Sequence, residues 1–335
     1  MKPALRVVFL ALGLWICSLL LRQVDPEALK ANLRVLGIWA PTVLVPYFVV
    51  YQIDTAGWRA CFGRTGLLSI SFAALARIRW CGESLNNLVP SVYVGGEALK
   101  VFLLRRRHIE SDRSTAAAII SKTVQTLAQL LVLALAALVF LRFVPPGSPL
   151  RQGLLLVLIG SLAVVVLLFW MQQRGIFNTL ARLTRVVGFK GGFWERYRPR
   201  WQRVDDIITQ FYRQDRPHFF KGLAFYCAGW LTDTLEVWWF SWLVGQPISW
   251  FQALSLEAFV GVAKILGMFV PGAIGIQESG IVLIGRAIGL SDSFCVAYAI
   301  IRRARELLFA LAGWGLFVLE GVPLRSLRQA PPPAE

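Results

Sequence analysis

Three stretches of this chain run for most of their length without charge: Leu5 to Leu21, a segment within Ala116 to Leu141, and Leu154 to Met171. About 20 consecutive apolar residues cross the hydrocarbon core of a bilayer as a helix. The composition of the whole chain agrees, being 56% hydrophobic and 16% charged, where a soluble domain averages about 25% charged residues. The expected fold class is therefore an all-α polytopic membrane protein.

The apolar pattern predicts full spans at about 4–22, 38–57, 113–142, 151–172, 218–244 and 294–321. Regions 68–106 and 249–288 are only partly apolar, and Pro and Gly break each near its middle. Lys2 and Arg6 precede the first run as in a signal peptide, but no small-residue cleavage site follows, so it is expected to stay as a helix. One membrane domain is expected over 1–330, with a disordered tail over 322–335 that holds Pro331, Pro332 and Pro333. Within the domain the order is an N-terminal span (1–37), a first repeat (38–140), a span with a basic loop (141–218) and a second repeat (219–321).

The net charge of +16 would suggest nucleic acid in a soluble protein. In a membrane protein it marks cytoplasmic loops, and no nucleic-acid partner is expected. Arg105, Arg106, Arg107 and Arg113 crowd one loop, and ten basic residues lie between Arg174 and Arg216. Both stretches should face the cytoplasm of a bacterial inner membrane. Lys2 and Arg6 place the N-terminus there, and Arg325 and Arg328 the C-terminus. In the larger loop Trp194, Tyr197, Trp201, Val204, Ile208 and Phe211 mark one face of a helix. That face suits either the membrane interface or docking onto the protein itself. Five scattered cysteines and two histidines form no metal spacing, so no metal or other cofactor is expected.

The chain also matches itself. Pro90-Ser-Val-Tyr-Val-Gly-Gly-Glu97 resembles Pro271-Gly-Ala-Ile-Gly-Ile-Gln-Glu278, 181 positions on. The same offset pairs Trp58 with Trp239, Leu75 with Leu256, Arg105 with Arg286 and basic Lys122 with Arg303. With the charge rule, span 38–57 runs inward while its counterpart 218–244 runs outward, so the halves are expected to be inverted copies. Six full spans and two re-entrant hairpins follow. Pro/Gly-interrupted segments at matching places in inverted halves point to a transport site near the midplane. Pro90 and Pro271 would end the descending helices. Gly95, Gly96, Gly272 and Gly275 would permit tight turns and close backbone approach.

Ionisable residues at membrane depth are costly and mark function by default. Arg302, Arg303, Arg305 and Glu306 lie in the last span, with Lys122 at the equivalent depth in the other half. Asp233 and Glu236 lie within 218–244, and Glu83, Glu97 and Glu278 at the hairpins. The arginines suit either a cavity or snorkelling to the interface, and the coincidence of Lys122 with Arg303 favours the cavity. Glu97 and Glu278 suit substrate contact, helix N-capping or a structural pair with an arginine. Asn86 and Asn87 suit the hairpin backbone or the substrate, and Asp233 and Glu236 suit pairing with a cation in the bundle.

Asn86-Asn87-Leu-Val-Pro90 followed by Gly95-Gly96-Glu97 resembles the signature of the lysylphosphatidylglycerol synthase membrane domain, a family with hopanoid-associated members. Pro271, Gly272, Gly275 and Glu278 resemble its second element. The resemblance covers about 5–322. It implies translocation of a phospholipid or lipid-linked molecule across the inner membrane. With no room for an aminoacyl-transferase domain in 335 residues, it implies a stand-alone transporter-like protein and not an enzyme. Lys100 and Lys122 stand where members often carry arginine, which keeps the charge but not the bidentate grip on phosphate. The sequence holds no Walker A loop and no zinc-protease or nucleophile-elbow motif. A carrier of a small polar anion, or a non-catalytic partner in a lipid-synthesis or export complex, fits the same residues.

Overall fold

The computed structural model describes residues 26–64, 70–88, 94–141, 146–174, 198–266, 270 and 273–321, and among these the regular structure is all helix. The first expected span (4–22), the tail, Pro90, Trp194, Tyr197, Pro271 and Gly272 lie outside the described residues.

The described residues begin with α1 (Pro26–Leu36), then a 3-10 turn (Gly37–Val43) and α2 (Leu44–Ala60). Pro41 lies inside the turn. It has no N–H to give to a regular helix, so α2 starts later than the apolar run that predicts it. α3 (Phe72–Leu88) and α4 (Val94–Arg105) precede the long α5 (Ser111–Phe140). α6 (Pro149–Arg174) and α7 (Arg198–Gln214) follow, then the long α8 (Arg216–Leu243). α9 (Trp250–Leu266), α10 (Ile276–Ala287) and α11 (Asp292–Leu319) complete the fold. Local signals set several ends. A proline lies in the first turn of α8, and the Ser291 hydroxyl accepts the Phe294 N–H at the start of α11.

Three helical stretches are long and apolar enough to cross a membrane: Lys30–Ala60, Ser111–Phe140 and Arg151–Leu168. α6 turns Leu156, Ile159, Leu162 and Val166 outward, an apolar face suited to lipid. α8 and α11 have 28 residues each, about 42 Å at the α-helical rise, but they carry charges that their neighbours bury.

Packing repeats with the sequence. α2 packs on α3 and α5, α3 on α4, and α4 on α5. In the same pattern α8 packs on α9 and α11, α9 on α10, and α10 on α11. α5 begins at Ser111 and α11 at Asp292, at the offset of the repeat. The halves then interlock: α2 crosses α8, α3 lies on α11, and α9 lies on α5.

The basic amphipathic helix takes the docked of its two expected positions. Val204, Ile208 and Phe211 of α7 are buried in one cluster with Ile120, Val124 and Leu127 of α5 and Tyr226 of α8. Arg200 and Arg203 both reach Asp112 at the start of α5, at 3.2 and 2.8 Å. α1 has no counterpart among the predicted spans, although Pro26 and Glu27 in its first turn and Arg34 in its last are ordinary helix-end signals.

Candidate functional site

Two clusters of charge stand at equivalent places in the repeats. In the first, α3 and α4 meet at glycine. A methyl group on Gly96 would collide with the Gly82 carbonyl oxygen and the Asn86 side chain. With no such group, the Gly96 N–H donates to Asn86 Oδ1 at 2.8 Å, which caps the start of α4. The close approach brings Lys100 to Glu83 at 2.6 Å and to Glu97 at 2.9 Å. Lys122 reaches in from α5, 3.2 Å from Glu97 and 3.8 Å from Glu83. Gly95 and Asn87 are half-buried beside this group.

In the second cluster Gly275 takes φ +84°, a left-handed conformation natural to glycine. Its N–H donates to Glu278 Oε2 at 2.7 Å. The other carboxylate oxygen accepts from Arg303 Nε at 2.8 Å. Glu278 is thus both a helix cap and an ion partner. Glu97 is only the latter, because Asn86 does the capping in its half. Arg303 also donates to Glu306 at 3.1 Å, and Gln277 and Lys264 reach the same carboxylate at 3.2 and 3.4 Å.

Lys122 holds Glu97 as Arg303 holds Glu278. Lys122 also donates to Gln125 at 3.4 Å, where the repeat places Arg303 and Glu306. The halves differ on the first hairpin helix, which carries Glu83 in one repeat and Lys264 in the other.

A deeper layer of pairs lies behind these clusters. Arg79 donates to Asp54 at 2.6 Å. Arg302 grips Glu257 with both terminal nitrogens and reaches the Tyr298 hydroxyl at 3.0 Å. Arg305 pairs with Glu236 and stacks over the Tyr47 ring at 3.7 Å. The expected alternative of snorkelling fails for Arg302 and Arg305, since their side chains are 6% and 2% exposed. Charges buried so far persist only when paired. Lys122, Lys264 and Arg303 are less deeply buried, at 36%, 31% and 21% exposed.

Of the described site residues expected from sequence, Arg302 stands in the deeper layer, Asn87 follows Asn86 on α3, and the others fall in or beside these two clusters. Asp54, Arg79, Glu257 and Lys264 were missed. Lys264 was legible, because it stands 181 positions beyond Glu83. Arg79 and Glu257 were visible only as single charges in partly apolar segments. Among the described residues no three or more His, Cys, Asp or Glu side chains converge as a metal-binding group.

Comparison with known proteins follows the same outline. No solved structure matches the chain. A UPF0104 membrane protein, PH1989 of Pyrococcus horikoshii, is 20% identical over 295 residues, covering 83% of this chain and 85% of that protein. The profile of the Lysylphosphatidylglycerol synthase TM region matches residues 4–313. With nearly the whole described fold inside that match, the chain belongs to the family of the lysylphosphatidylglycerol synthase transmembrane region.

Proposed function

We propose that this protein is a lipid translocase, a flippase or scramblase and not an enzyme, that moves a phospholipid or lipid-linked molecule across the inner membrane. One observation carries the reading: a partly exposed cation holds the carboxylate at the start of a hairpin helix, once in each repeat, as Lys122–Glu97 and Arg303–Glu278. An anionic headgroup would compete for that cation, displacing the carboxylate at one hairpin and then the other. In this reading the chain has six spans and two re-entrant hairpins in inverted halves, with both termini cytoplasmic. The helices α3–α4 and α9–α10 are the hairpins. Their matched packing, each on the long helix of the other half, supports an exchange of equivalent states. Family membership supports a lipid cargo over a small polar anion. The reading as a docking partner loses its favoured surface, because the apolar face of α7 is buried within the protein.

The test is headgroup accessibility in proteoliposomes. Fluorescent phosphatidylglycerol, and in parallel zwitterionic and isoprenoid lipids, are quenched from outside with and without the protein. Faster exchange that is lost in Glu97→Gln, Glu278→Gln and Arg303→Ala supports the reading. Exchange unchanged in all three removes the site. Absence of exchange with every lipid, together with uptake of inorganic phosphate, would turn the same clusters into an anion carrier.

A further inference from the structure

The deep layer of ion pairs is one cation short. Asp54 of α2 rests against α8 at Gly229, where an added Cβ would lie 2.7 Å from its Oδ1. Asp233 stands one helical turn further along α8, within electrostatic reach of Asp54. Arg79 matches Asp54. Among the described residues Asp233 has no comparable ion pair, and its Oδ1 is buried without a hydrogen-bond partner.

The charged groups around it are committed elsewhere. Glu257 faces it from α9, Arg302 and Arg305 from α11, and Asp54 and Tyr47 from α2. Glu236 lies three residues on along α8 itself. α5 meets α8 through Ser121 and Tyr226 and carries Lys122, which acts on Asp54. Arg302 is held by Glu257 and Arg305 by Glu236. Asp233, Glu236 and Glu257 thus face two guanidiniums. A surplus carboxylate at membrane depth is costly unless something positive accompanies it.

We propose that Asp233 binds a monovalent cation, a proton or sodium, and that this cation is coupled to headgroup movement. The coupling rests on the translocase reading; the cation site does not. The position suits coupling, because the groups nearest Asp233 are Asp54, Arg302, Arg305 and Glu257, which adjoin both clusters. Asp54 beside it is held by Arg79, one helical turn before Glu83 of the first cluster. Tyr47 of the same helix lies under Arg305, the chain neighbour of Glu306 of the second. Neutralising Asp233 therefore changes the electrostatic balance of both hairpin sites at once. The sequence carries no phosphate-binding loop for nucleotide, so an ion gradient is a natural driving force.

Infrared difference spectra of the purified protein in lipid nanodiscs test the site without any cargo. Acid titration at constant sodium, and sodium chloride titration at constant pH, separate the two cations. The expected result is a carboxyl signal in one titration that Asp233→Asn loses and Asp233→Glu retains at a shifted frequency. Identical spectra for the wild type and Asp233→Asn in both titrations would overturn the site. Should Asp233→Asn fail to fold, an unshifted signal in Asp233→Glu overturns it equally. In proteoliposomes, a gradient of the cation so identified should drive net lipid movement in the wild type and not in Asp233→Asn. Exchange that ignores the gradient overturns the coupling. Absence of any lipid exchange, with the infrared signal intact, removes the translocase reading and the coupling, and leaves the cation site.

Discussion

Lys122 and Arg303 stand 181 positions apart, and each binds the glutamate in the first turn of the second hairpin helix of its own repeat: Glu97 at 3.2 Å, and Glu278, with Arg303 Nε at 2.8 Å. The duplication has kept the pair while changing the cation. Lysine offers a point charge, whereas arginine offers a fork that binds Glu278 and Glu306 together.

That difference predicts unequal tolerance. Lys122→Arg should preserve lipid exchange, because the charge and reach survive. Arg303→Lys should weaken it, because one nitrogen must serve two carboxylates. Alanine at either position should lower exchange by about 10- to 100-fold, the equivalent of about 1.5–3 kcal/mol for a hydrogen bond to a charged group. Initial rates in proteoliposomes, corrected for protein content, provide the check.

The Glu257–Arg302 pair should behave as structure. Removing either partner strands a buried charge and should cost about 3–5 kcal/mol. Replacing both, as Glu257→Leu with Arg302→Met, should cost less than either single change. Thermal unfolding in detergent across the four proteins would show it, and additive losses would mean the two residues do not depend on each other.

Gly96→Ala should separate α3 from α4, because the methyl group meets the Gly82 backbone and the Asn86 amide. Overpacking of this kind costs about 1–3 kcal/mol. The larger effect should fall on function, since Lys100 would no longer meet Glu83 and Glu97 together. Gly153→Ala on α6, where an added Cβ meets nothing within 4 Å, is the matched control and should be neutral or slightly stabilising.

Outside the spans, Arg286 bonds Asp292 through two nitrogens, at 2.7 and 2.6 Å, across the turn between α10 and α11. Those hydrogen bonds hold the Asp292 carboxyl below its usual range. A depressed carboxyl contributes stability above its unfolded value, about 3.9, and the contribution fades as pH falls through the folded value. Hydrogen exchange at this turn, corrected for the intrinsic rate, should therefore stay flat from neutral pH to about 4 and rise below it. Asp292→Asn should abolish the rise.

The sequence by itself determined the class of the protein and its internal register. Long apolar runs require helices in a bilayer, because only a helix or a closed barrel satisfies its backbone there. The apolar pattern placed the spans 113–142 and 294–321, and the offset paired Lys122 with Arg303 and pointed to Glu97 and Glu278. Those features are legible because they depend on position along the chain. Partner choice is not. Arg302 meets Glu257 from 45 positions away, and Arg79 meets Asp54 from 25. Helical periodicity shows which face and depth a charge occupies, but the crossing of one helix over another decides what stands opposite. The same limit left the stripe on α7 open between membrane and protein, since both environments reward the burial of Val204, Ile208 and Phe211 equally. Only the packing of α7 on α5 and α8 decided it, and only the interlocking of the two repeats set Asp233 beside Asp54, with Arg79, Arg302 and Arg305 each paired to another carboxylate.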